Sequence, residues 1–292
     1  MAHLIDGNAL AKRFREEVSS RVAALKARGQ DVRLDAVLVD NGDSAARVYS
    51  DNQARTCAQL GITYKLHTLP QGSGYDDIAG RVLLLNTEDA VHAVMLHMPL
   101  PDDVDPYRVQ RLIKPEKDVE GVNPANIGNV VYGRSSLAPC TGLAVVKMIE
   151  SVFPNRAAGE PFLRGKRCVV VGASDVVGKP IAVLLMRQDA TVISCNKYTP
   201  NLASLTREAD ILVAAAGVPN LITADMVKPG AIVIDVGVNR VTQPDGSKKT
   251  VGDVDFSAVS PIASHISPVP GGVGPVTVAM LLLNVADAAA HS

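Results

Sequence analysis

The chain has 292 residues, a length that suggests about two domains. Its 29 Lys and Arg balance 30 Asp and Glu, which excludes the strongly basic surface of a nucleic-acid or anionic-membrane binder. Hydrophobic residues make up 47% and aromatic residues only 3%, so a large core of small aliphatic side chains is expected, without a stacking surface for single-stranded nucleic acid. We therefore predict an α/β protein with no nucleic-acid partner.

Location and metal binding are predicted from what the sequence lacks. No basic segment followed by an apolar run opens the chain, and no apolar run reaches the ~18 residues of a membrane span. We expect a cytoplasmic protein without a membrane partner. We also expect no metal site and no disulfide framework, because no C-x-x-C pair or histidine at ligand spacing accompanies the four cysteines, Cys57, Cys140, Cys168 and Cys195.

The first half alternates short aliphatic runs with helical patterns, which is typical of a parallel sheet with helical crossovers. The predicted elements are a strand at 33–39, a helix at 44–60, a strand at 63–66, a helix at 76–85 and a strand at 91–96. The polar, Gly- and Asn-rich stretch 113–136 is predicted to be a loop that is either functional or a linker. A helix over 142–152 follows, and the Pro- and Gly-rich segment 154–164 is predicted to join two domains.

The second half contains the pattern strand, glycine-rich turn, helix and strand. The predicted elements are strands at 167–171, 190–195, 211–214 and 231–236, a turn at 172–178, a helix at 179–187 and a last helix at 276–290. This order is typical of the mononucleotide-binding half of a doubly wound parallel sheet.

The glycine-rich turn is the predicted phosphate site. Gly172 and Gly178 occupy the first and last positions of the dinucleotide fingerprint, and Ser174 takes the place of the middle glycine. Glycines let a pyrophosphate approach the backbone amides at the helix N-terminus. We predict cofactor contacts from this turn, including Ala173 and Val177. The alternative is a strand-to-helix turn that binds nothing.

The residues after the second strand of this pattern predict which dinucleotide binds. NAD sites usually place Asp or Glu there for the ribose 2′-hydroxyl. Here Asn196 and Lys197 follow the strand, with no acid, and a cation suits a 2′-phosphate. We therefore predict NADP rather than NAD. A surface lysine on an ordinary loop is the alternative.

Six motifs lie in order along the chain: Pro115–Gly121, Pro139–Thr141, Val169–Gly178, Asp235–Arg240, Val251–Val254 and Pro268–Thr277. Together they resemble the methylenetetrahydrofolate dehydrogenase/cyclohydrolase family, the bifunctional folate enzymes. The resemblance covers essentially the whole chain.

The resemblance implies a fold, an activity and further site residues. Family members have two α/β domains flanking a cleft and are homodimers through the second, a Rossmann domain. We expect residues 1–141 and 276–292 to form the folate-binding catalytic domain, and 142–275 to form the NAD(P)-binding domain. Members oxidise 5,10-methylenetetrahydrofolate to the methenyl form by hydride transfer, then hydrolyse it to 10-formyltetrahydrofolate. The resemblance places Val238 and Thr277 in the cofactor site, and Pro270, Gly271 and Gly272 in the substrate site.

One departure from the family pattern affects the proposed chemistry directly. Members carry Tyr-x-x-x-Lys, with both side chains on one helix face and the lysine handling the proton of the hydrolysis. Here the tyrosine is Tyr49, and Gln53 stands at the lysine position. An amide has no proton that titrates near neutrality, and general acid–base catalysis is typically worth about 10² to 10⁴ in rate. We predict weak or lost hydrolysis with the hydride transfer retained.

Two further departures fall at positions that the resemblance assigns to the same pocket. The family glutamine before x-Pro-Leu-Pro is His97, a group expected to titrate near neutrality. The second aspartate of K-D-V-D-G is Glu120, which keeps the charge on a longer stem. We predict Tyr49, Gln53, His97 and Glu120 as catalytic residues, with Tyr49 and Glu120 also contacting the substrate. The alternatives are that His97 is a buried histidine whose hydrogen bonds are satisfied within the protein, that Gln53 is an exposed helix residue, and that Glu120 is a tolerated conservative change.

Three functions are compatible with these observations. The leading hypothesis is an NADP-dependent methylenetetrahydrofolate dehydrogenase with weak or absent cyclohydrolase activity. The second is an NADP-dependent enzyme acting on another C–N bond, such as a cyclic imine, through the altered set Gln53, His97 and Glu120. The third is a cofactor-binding protein without catalysis.

Overall fold

A computed structural model describes residues 1–40, 42, 44–134, 137–154, 159–243 and 246–292, apart from the side chains of 44 and 45. The end of the predicted loop, at 135–136, and positions 155–158 of the predicted domain joint lie outside these residues. The chain divides into two compact units. We call Arg13–Cys140 with Leu281–Ser292 the small-sheet unit, and Met1–Lys12 with Thr141–Met280 the large-sheet unit.

The strands are β1 (His3–Leu4), β2 (Arg33–Val39), β3 (Thr63–Leu69), β4 (Ala93–Leu96), β5 (Arg167–Val171), β6 (Thr191–Cys195), β7 (Ile211–Ala214), β8 (Ile232–Asp235), β9 (Asn239–Thr242), β10 (Lys248–Val251) and β11 (His265–Ile266). The helices are α1 (Gly7–Lys26), α2 (Ser44–Gln59), α3 (Tyr75–Thr87), α4 (Pro106–Gln110), α5 (Pro124–Tyr132), α6 (Cys140–Glu150), α7 (Gly178–Met186), α8 (Leu202–Thr206), α9 (Phe256–Val259) and α10 (Val273–Ala290).

The small-sheet unit is built on three parallel strands in the order β3-β2-β4. The central strand β2 is buried from its second residue onward, which fits its mostly aliphatic side chains. The buried acid among them, Asp35, is paired with Arg33 and His67. One face of the sheet packs against α3, and their aliphatic side chains form a core that includes Val37, Ile78, Val82 and Leu96. The strands and helices predicted for this half are confirmed, with ends shifted by a few residues.

The prediction of a loop at 113–136 is wrong for its described part, which contains a 3-10 turn at Pro115–Lys117 and the helix α5. Asn123 caps this helix, because its side chain accepts a hydrogen bond from the N–H of Ala125 at 2.8 Å. Pro124 starts the helix, and Gly133 ends it with φ 70°. The sequence contains the Asn-Pro helix start and the Gly helix stop. The high Gly and Asn content of the stretch nevertheless favoured a loop in the prediction.

The large-sheet unit is built on six parallel strands in the order β1-β11-β8-β7-β5-β6. A separate antiparallel hairpin joins β9 and β10. The predicted class, two α/β domains of which the second has a Rossmann-type parallel sheet, is confirmed. Residues 1–12 belong to this unit, because β1 pairs with β11.

The helix α10 is long and apolar enough to cross a membrane, and it is the one such helix in the described part of the chain. Its mean hydropathy is 1.6, and 61% of the 18-residue window is buried inside the protein. Burial of this kind is typical of a core helix. Asn284, the buried polar residue on it, donates hydrogen bonds to the carbonyls of Val119 at 2.8 Å and Ala138 at 3.1 Å.

Candidate active site

Tyr49 and His97 lie in direct ring contact in the small-sheet unit. Tyr49 projects from α2 and is 45% exposed, whereas His97 follows β4 and is 2% exposed. Their ring centroids are 5.7 Å apart and the planes meet at 83°, an edge-to-face arrangement. Burial, with a smaller effect from the charge of Glu120, raises the pKa of the Tyr49 phenol. Tyr49 therefore presents a neutral, partly exposed ring supported by His97.

His97 is held by hydrogen bonds on two sides. Its backbone N–H donates to the carbonyl of Val37 at 2.9 Å, and its Nε2 lies 2.9 Å from the Tyr64 hydroxyl. Tyr64 in turn lies 3.0 Å from the Ser50 hydroxyl. Burial lowers the pKa of His97 to about 4, so the expectation that it titrates near neutrality is wrong. Sequence reasoning missed Ser50 and Tyr64, because no motif joins residues on three separate elements.

Gln53 is buried one turn after Tyr49, at 4% exposure, so the alternative of an exposed helix residue is wrong. Neither its amide nitrogen nor its amide oxygen has a hydrogen-bond partner among the described residues. Leaving a buried polar group unpaired costs about 1–3 kcal/mol. The side-chain amide of Gln53 is therefore suited to form a hydrogen bond with a polar group of a bound ligand.

Glu120 lies beside the end of β4, where its Oε2 accepts a hydrogen bond from the N–H of Leu96 at 3.3 Å. Burial, assisted by the charge of Asp118, raises the pKa of Glu120 to about 7. Asp118 has a different task, because it accepts hydrogen bonds from the N–H of Asn123 at 2.7 Å and the side chain of Asn126 at 2.8 Å. Of the two acids in this motif, Asp118 anchors the start of α5 and Glu120 adjoins His97.

The predicted cofactor residues belong to the large-sheet unit, where parallel strands bring their carboxyl ends to one edge. The turn that begins at Gly172 follows β5, Asn196 follows β6 and Val238 comes three residues after β8. Ligands of open parallel sheets bind at this edge. The structure thus places the turn, Asn196 and Val238 at the edge where a dinucleotide is expected.

The turn from Gly172 to Gly178 requires both glycines. Gly172 has φ 114°, and a Cβ there would collide with the carbonyl of Ala215. A Cβ on Gly178 would collide with the carbonyl of Gly172. The N–H of Gly178 donates to the Ser174 hydroxyl at 3.3 Å, while the N–H groups of Ser174 and its neighbours Ala173 and Asp175 have no partner within the described ranges. Free amides before a helix fit a pyrophosphate.

The residues after β6 lie next to this turn, because the N–H of Gly172 donates to the carbonyl of Cys195 at 2.9 Å. Asn196 shapes the segment by accepting a hydrogen bond from the N–H of Tyr198 at 2.9 Å. Lys197 is exposed, and its ammonium lies 5.0 Å from the centroid of the Tyr198 ring. A cation beside the phosphate-binding turn fits a 2′-phosphate.

Two buried aspartates that sequence reasoning did not assign hold the loops at this edge. Asp235 accepts hydrogen bonds from the N–H groups of Gly237 and Asp253, each at 3.0 Å, and burial raises its pKa to about 6. Asp253 accepts from the N–H of Gly217 at 2.8 Å. Val238 is left 69% exposed on the loop between them. Both aspartates belong to quoted family motifs, and the structure gives them the role of loop anchors.

The loop that carries Pro270, Gly271 and Gly272 follows β11 and packs closely against the start of α1. A Cβ on Gly7 would collide with the carbonyl of Gly272, and Gly271 has φ 97°. The Thr277 hydroxyl donates to the carbonyl of Val273 at 3.1 Å, within α10. These contacts describe a tightly packed loop, and its substrate role stays a prediction. Among the described residues, no group of three or more His, Cys, Asp or Glu could hold a metal ion.

The parallel sheet, its glycine-rich turn and the polar cluster around Tyr49 define an α/β oxidoreductase of the nicotinamide-dependent class. Residues 5–120 match the family model "Tetrahydrofolate dehydrogenase/cyclohydrolase, catalytic domain". Residues 139–292 match the model of the NAD(P)-binding domain of the same family. The chain belongs to the tetrahydrofolate dehydrogenase/cyclohydrolase family, as its motifs had indicated.

Relatives agree over nearly the full length. The chain is 48% identical over 289 residues to the "Bifunctional protein FolD" of Ralstonia nicotianae, covering 99% of this chain and 96% of that protein. The crystal structure of the FolD bifunctional enzyme from Campylobacter jejuni is similar with a TM-score of 0.92 and 37% identity, over 100% and 99% of the two chains. The Trypanosoma brucei enzyme, complexed with NADP cofactor and inhibitor, has a TM-score of 0.90 and 35% identity, over 99% and 98%.

Proposed function

We propose that this protein is an NADP-dependent 5,10-methylenetetrahydrofolate dehydrogenase whose cyclohydrolase activity is weak or lost. The observation that carries the proposal is Gln53, a buried amide without a partner among the described residues, at the position where the family pattern has lysine. The family match and the relatives named bifunctional support the folate substrate. The turn at Gly172–Gly178 and Lys197 support NADP.

Each group in the small-sheet unit has a role in the proposed dehydrogenation. The bound nicotinamide supplies the chemistry of hydride acceptance. Tyr49 offers a neutral aromatic face against which a flat pterin ring can pack. Glu120, with a pKa raised to about 7, can hold a hydrogen-bonding edge of that ring as acceptor or, when protonated, as donor. Oxidation of a methylene group between two nitrogens needs positioning rather than a protonic base, so the loss of lysine leaves this step intact.

Hydrolysis of the methenyl product makes a different demand, because a proton must be moved as water adds. The amide of Gln53 has no proton that titrates near neutrality. His97 is neutral there, since burial lowers its pKa to about 4, and burial raises the pKa of Tyr49. Glu120 is left as the one member of the predicted set with a pKa near neutrality. Because the amide at the lysine position cannot take up or release a proton there, we expect methenyltetrahydrofolate to accumulate.

The test is a paired assay of both activities on the purified full chain, with NADP and NAD compared. We expect NADPH formation with methylenetetrahydrofolate and very slow hydrolysis of added methenyltetrahydrofolate. Gln53→Lys should raise hydrolysis by about 10² or more, the usual worth of an acid–base group. Gln59→Lys, at an exposed position of the same helix, is the matched control and should change neither rate. Rapid hydrolysis by the unaltered protein would overturn the proposal.

A second candidate is oxidation or reduction of another C–N bond, such as that of a cyclic imine. It is favoured by the closeness of two altered residues, since Glu120 accepts a hydrogen bond from Leu96, the neighbour of His97. Tight NADPH binding without folate binding in calorimetry would support it. A triple Gln53→Lys, His97→Gln, Glu120→Asp variant that gains both folate activities would instead support a folate-derived pocket. Turnover of either substrate class would exclude a protein that only binds cofactor.

A homodimer through the large-sheet unit and a cytoplasmic location complete the proposal. The dimer is what the family resemblance implies, and the similarity to bacterial relatives named FolD supports the location. Light scattering on the purified protein, with a mass of twice 30.7 kDa expected, tests the dimer. A mass of 30.7 kDa would contradict it.

A further inference from the structure

Three side chains from separate elements form a hydrogen-bonded chain beneath Tyr49. Ser50 on α2 lies 3.0 Å from the Tyr64 hydroxyl on β3, and that hydroxyl lies 2.9 Å from His97 Nε2. Ser50 is 1% exposed and His97 is 2% exposed. Each hydroxyl has one proton, so the hydrogen bonds of this series must all be donated in the same direction. That direction decides which nitrogen of His97 is protonated.

The burial of Ser50 sets the direction. Its hydroxyl has Tyr64 as its one hydrogen-bond partner within the described ranges. If Tyr64 donated to Ser50, the Ser50 proton would be buried without an acceptor, at a cost that favours the opposite arrangement. Ser50 therefore donates to Tyr64, and Tyr64 donates its own proton to Nε2 of His97. A neutral imidazole that accepts at Nε2 carries its proton on Nδ1.

We propose that His97 acts on the substrate as a neutral Nδ1–H hydrogen-bond donor, and that Tyr64 and Ser50 are positioning residues that fix this tautomer. Nδ1 has no partner among the described residues, and the ring touches the half-exposed Tyr49. The group that would receive this hydrogen bond is an uncharged acceptor, a carbonyl oxygen or ring nitrogen. The assignment rests on the proposed function, because it concerns the same site.

A neutral donor suits the charge that the proposed reaction creates. When the N–CH₂–N carbon loses a hydride with its electron pair, the product carries one positive charge shared over the two nitrogens. Protonated His97 or a lysine at position 53 would repel that cation, whereas neutral His97 and Gln53 do not. The chain Ser50–Tyr64–His97 supplies a hydrogen-bond donor without supplying a charge. This neutrality also fits a pocket that releases the methenyl product without hydrolysing it.

The tautomer is measured by long-range ¹⁵N–¹H correlation spectra of the full chain labelled at histidine, at neutral pH, with His97 assigned by the loss of its signals in His97→Asn. We expect Nδ1 protonated and Nε2 unprotonated in the unaltered protein. Tyr64→Phe keeps the ring but removes the proton donated to Nε2, so both tautomers should be populated. Tyr75→Phe is the matched control, because Tyr75 lies on α3 and is not part of the hydrogen-bonded series Ser50–Tyr64–His97. It should leave the spectrum unchanged. Protonated Nε2 in the unaltered protein would overturn the assignment.

Kinetics test the action on substrate. Tyr64→Phe should lower kcat of the dehydrogenase about tenfold with KM for NADP unchanged, the size expected for losing one hydrogen bond of about 1.4 kcal/mol. His97→Asn places an amide N–H near the position of Nδ1–H and has no tautomers. Adding Tyr64→Phe to it should therefore cost little further, and an unchanged tenfold loss in that background would contradict the proposal. If the unaltered protein turns over no folate, the proposed function fails, while the spectra still decide the tautomer.

Discussion

Glu120 and His97 adjoin the same strand end, yet burial moves their pKa values in opposite directions. Burial disfavours whichever form is charged, so it raises the pKa of the acid and lowers that of the base. The pKa of Glu120 rises from 4.5 to about 7, and that of His97 falls from 6.5 to about 4. Between about pH 4 and about pH 7 both residues are therefore mostly uncharged, and above about pH 7 Glu120 is mostly ionised.

These shifts predict opposite pH dependences of stability. The stabilising contribution of Glu120 is complete below pH 4.5 and is lost as the pH rises through about 7. That of His97 is complete above pH 6.5 and is lost as the pH falls through about 4. In the unaltered protein the two largely cancel. Glu120→Gln should thus raise the free energy of unfolding at high pH relative to low pH, by up to about 3 kcal/mol, and His97→Asn should do the reverse.

Denaturant unfolding between about pH 4 and about pH 8 checks this prediction, with each variant compared with the unaltered protein at every pH. Glu116→Gln, an exposed glutamate in the same segment, is the control and should parallel the unaltered protein. Parallel curves for Glu120→Gln would contradict the buried position of the carboxyl group.

Sequence located four members of the candidate site but not their physical state. Family motifs selected Tyr49, Gln53, His97 and Glu120, and the structure places all four in the small-sheet unit. The low pKa of His97 depends on burial by side chains distant in sequence, which spacing alone does not reveal. Tyr64 was missed for the same reason, because it reaches His97 across 33 positions of the chain.

Lys117, in the motif Pro115–Gly121, caps the carboxyl end of a helix. The ammonium of Lys117 donates hydrogen bonds to the carbonyls of Leu85 at 3.3 Å, Asn86 at 3.1 Å and Glu88 at 2.8 Å, at the end of α3. Helix ends leave carbonyls without intrahelical partners, and a cation there also complements the helix dipole. Lys117 therefore has a structural role, although it belongs to a motif next to the site.

Replacing this lysine should loosen α3 at its carboxyl end. Lys117→Met keeps most of the apolar stem and removes three hydrogen bonds, so we expect a loss of about 1–3 kcal/mol in the free energy of unfolding. Hydrogen exchange should accelerate in the last turn of α3. Lys114→Met, an exposed lysine three positions earlier, serves as control and should leave exchange in α3 unchanged. Equal effects of the two substitutions would refute the capping role.

Elements were predictable from sequence where a pattern extends over several residues. The strands β2, β5 and β7 were predicted with the observed ends, because each consists mainly of buried apolar residues. In contrast, β1 and β11 contain two residues each, too few for any period. Such short strands form because a neighbouring strand of the sheet offers free hydrogen-bonding groups. The local sequence does not indicate which strand that neighbour is.

At the scale of the whole molecule, parallel topology gathers residues that are far apart in sequence. In the large-sheet unit, segments after β5, β6, β8 and β11 all begin at the carboxyl edge of one sheet. The βα alternation predicted such an edge. The strand order could not be predicted, because nothing in the spacing indicates that β11 inserts between β1 and β8.

This shared edge predicts how the cofactor is selected. Lys197 is exposed immediately after β6, and the carbonyl of Cys195 bonds to the N–H of Gly172 at the start of the phosphate turn. A charge-assisted hydrogen bond to a 2′-phosphate is worth about 1.5–3 kcal/mol, or roughly ten- to hundredfold in affinity. Lys197→Ala should weaken NADPH binding in calorimetry by that factor and leave NADH binding unchanged. Lys166→Ala, an exposed lysine before β5 at the opposite edge, should alter neither. Equal weakening of both cofactors by Lys197→Ala would show that this lysine does not read the 2′-phosphate.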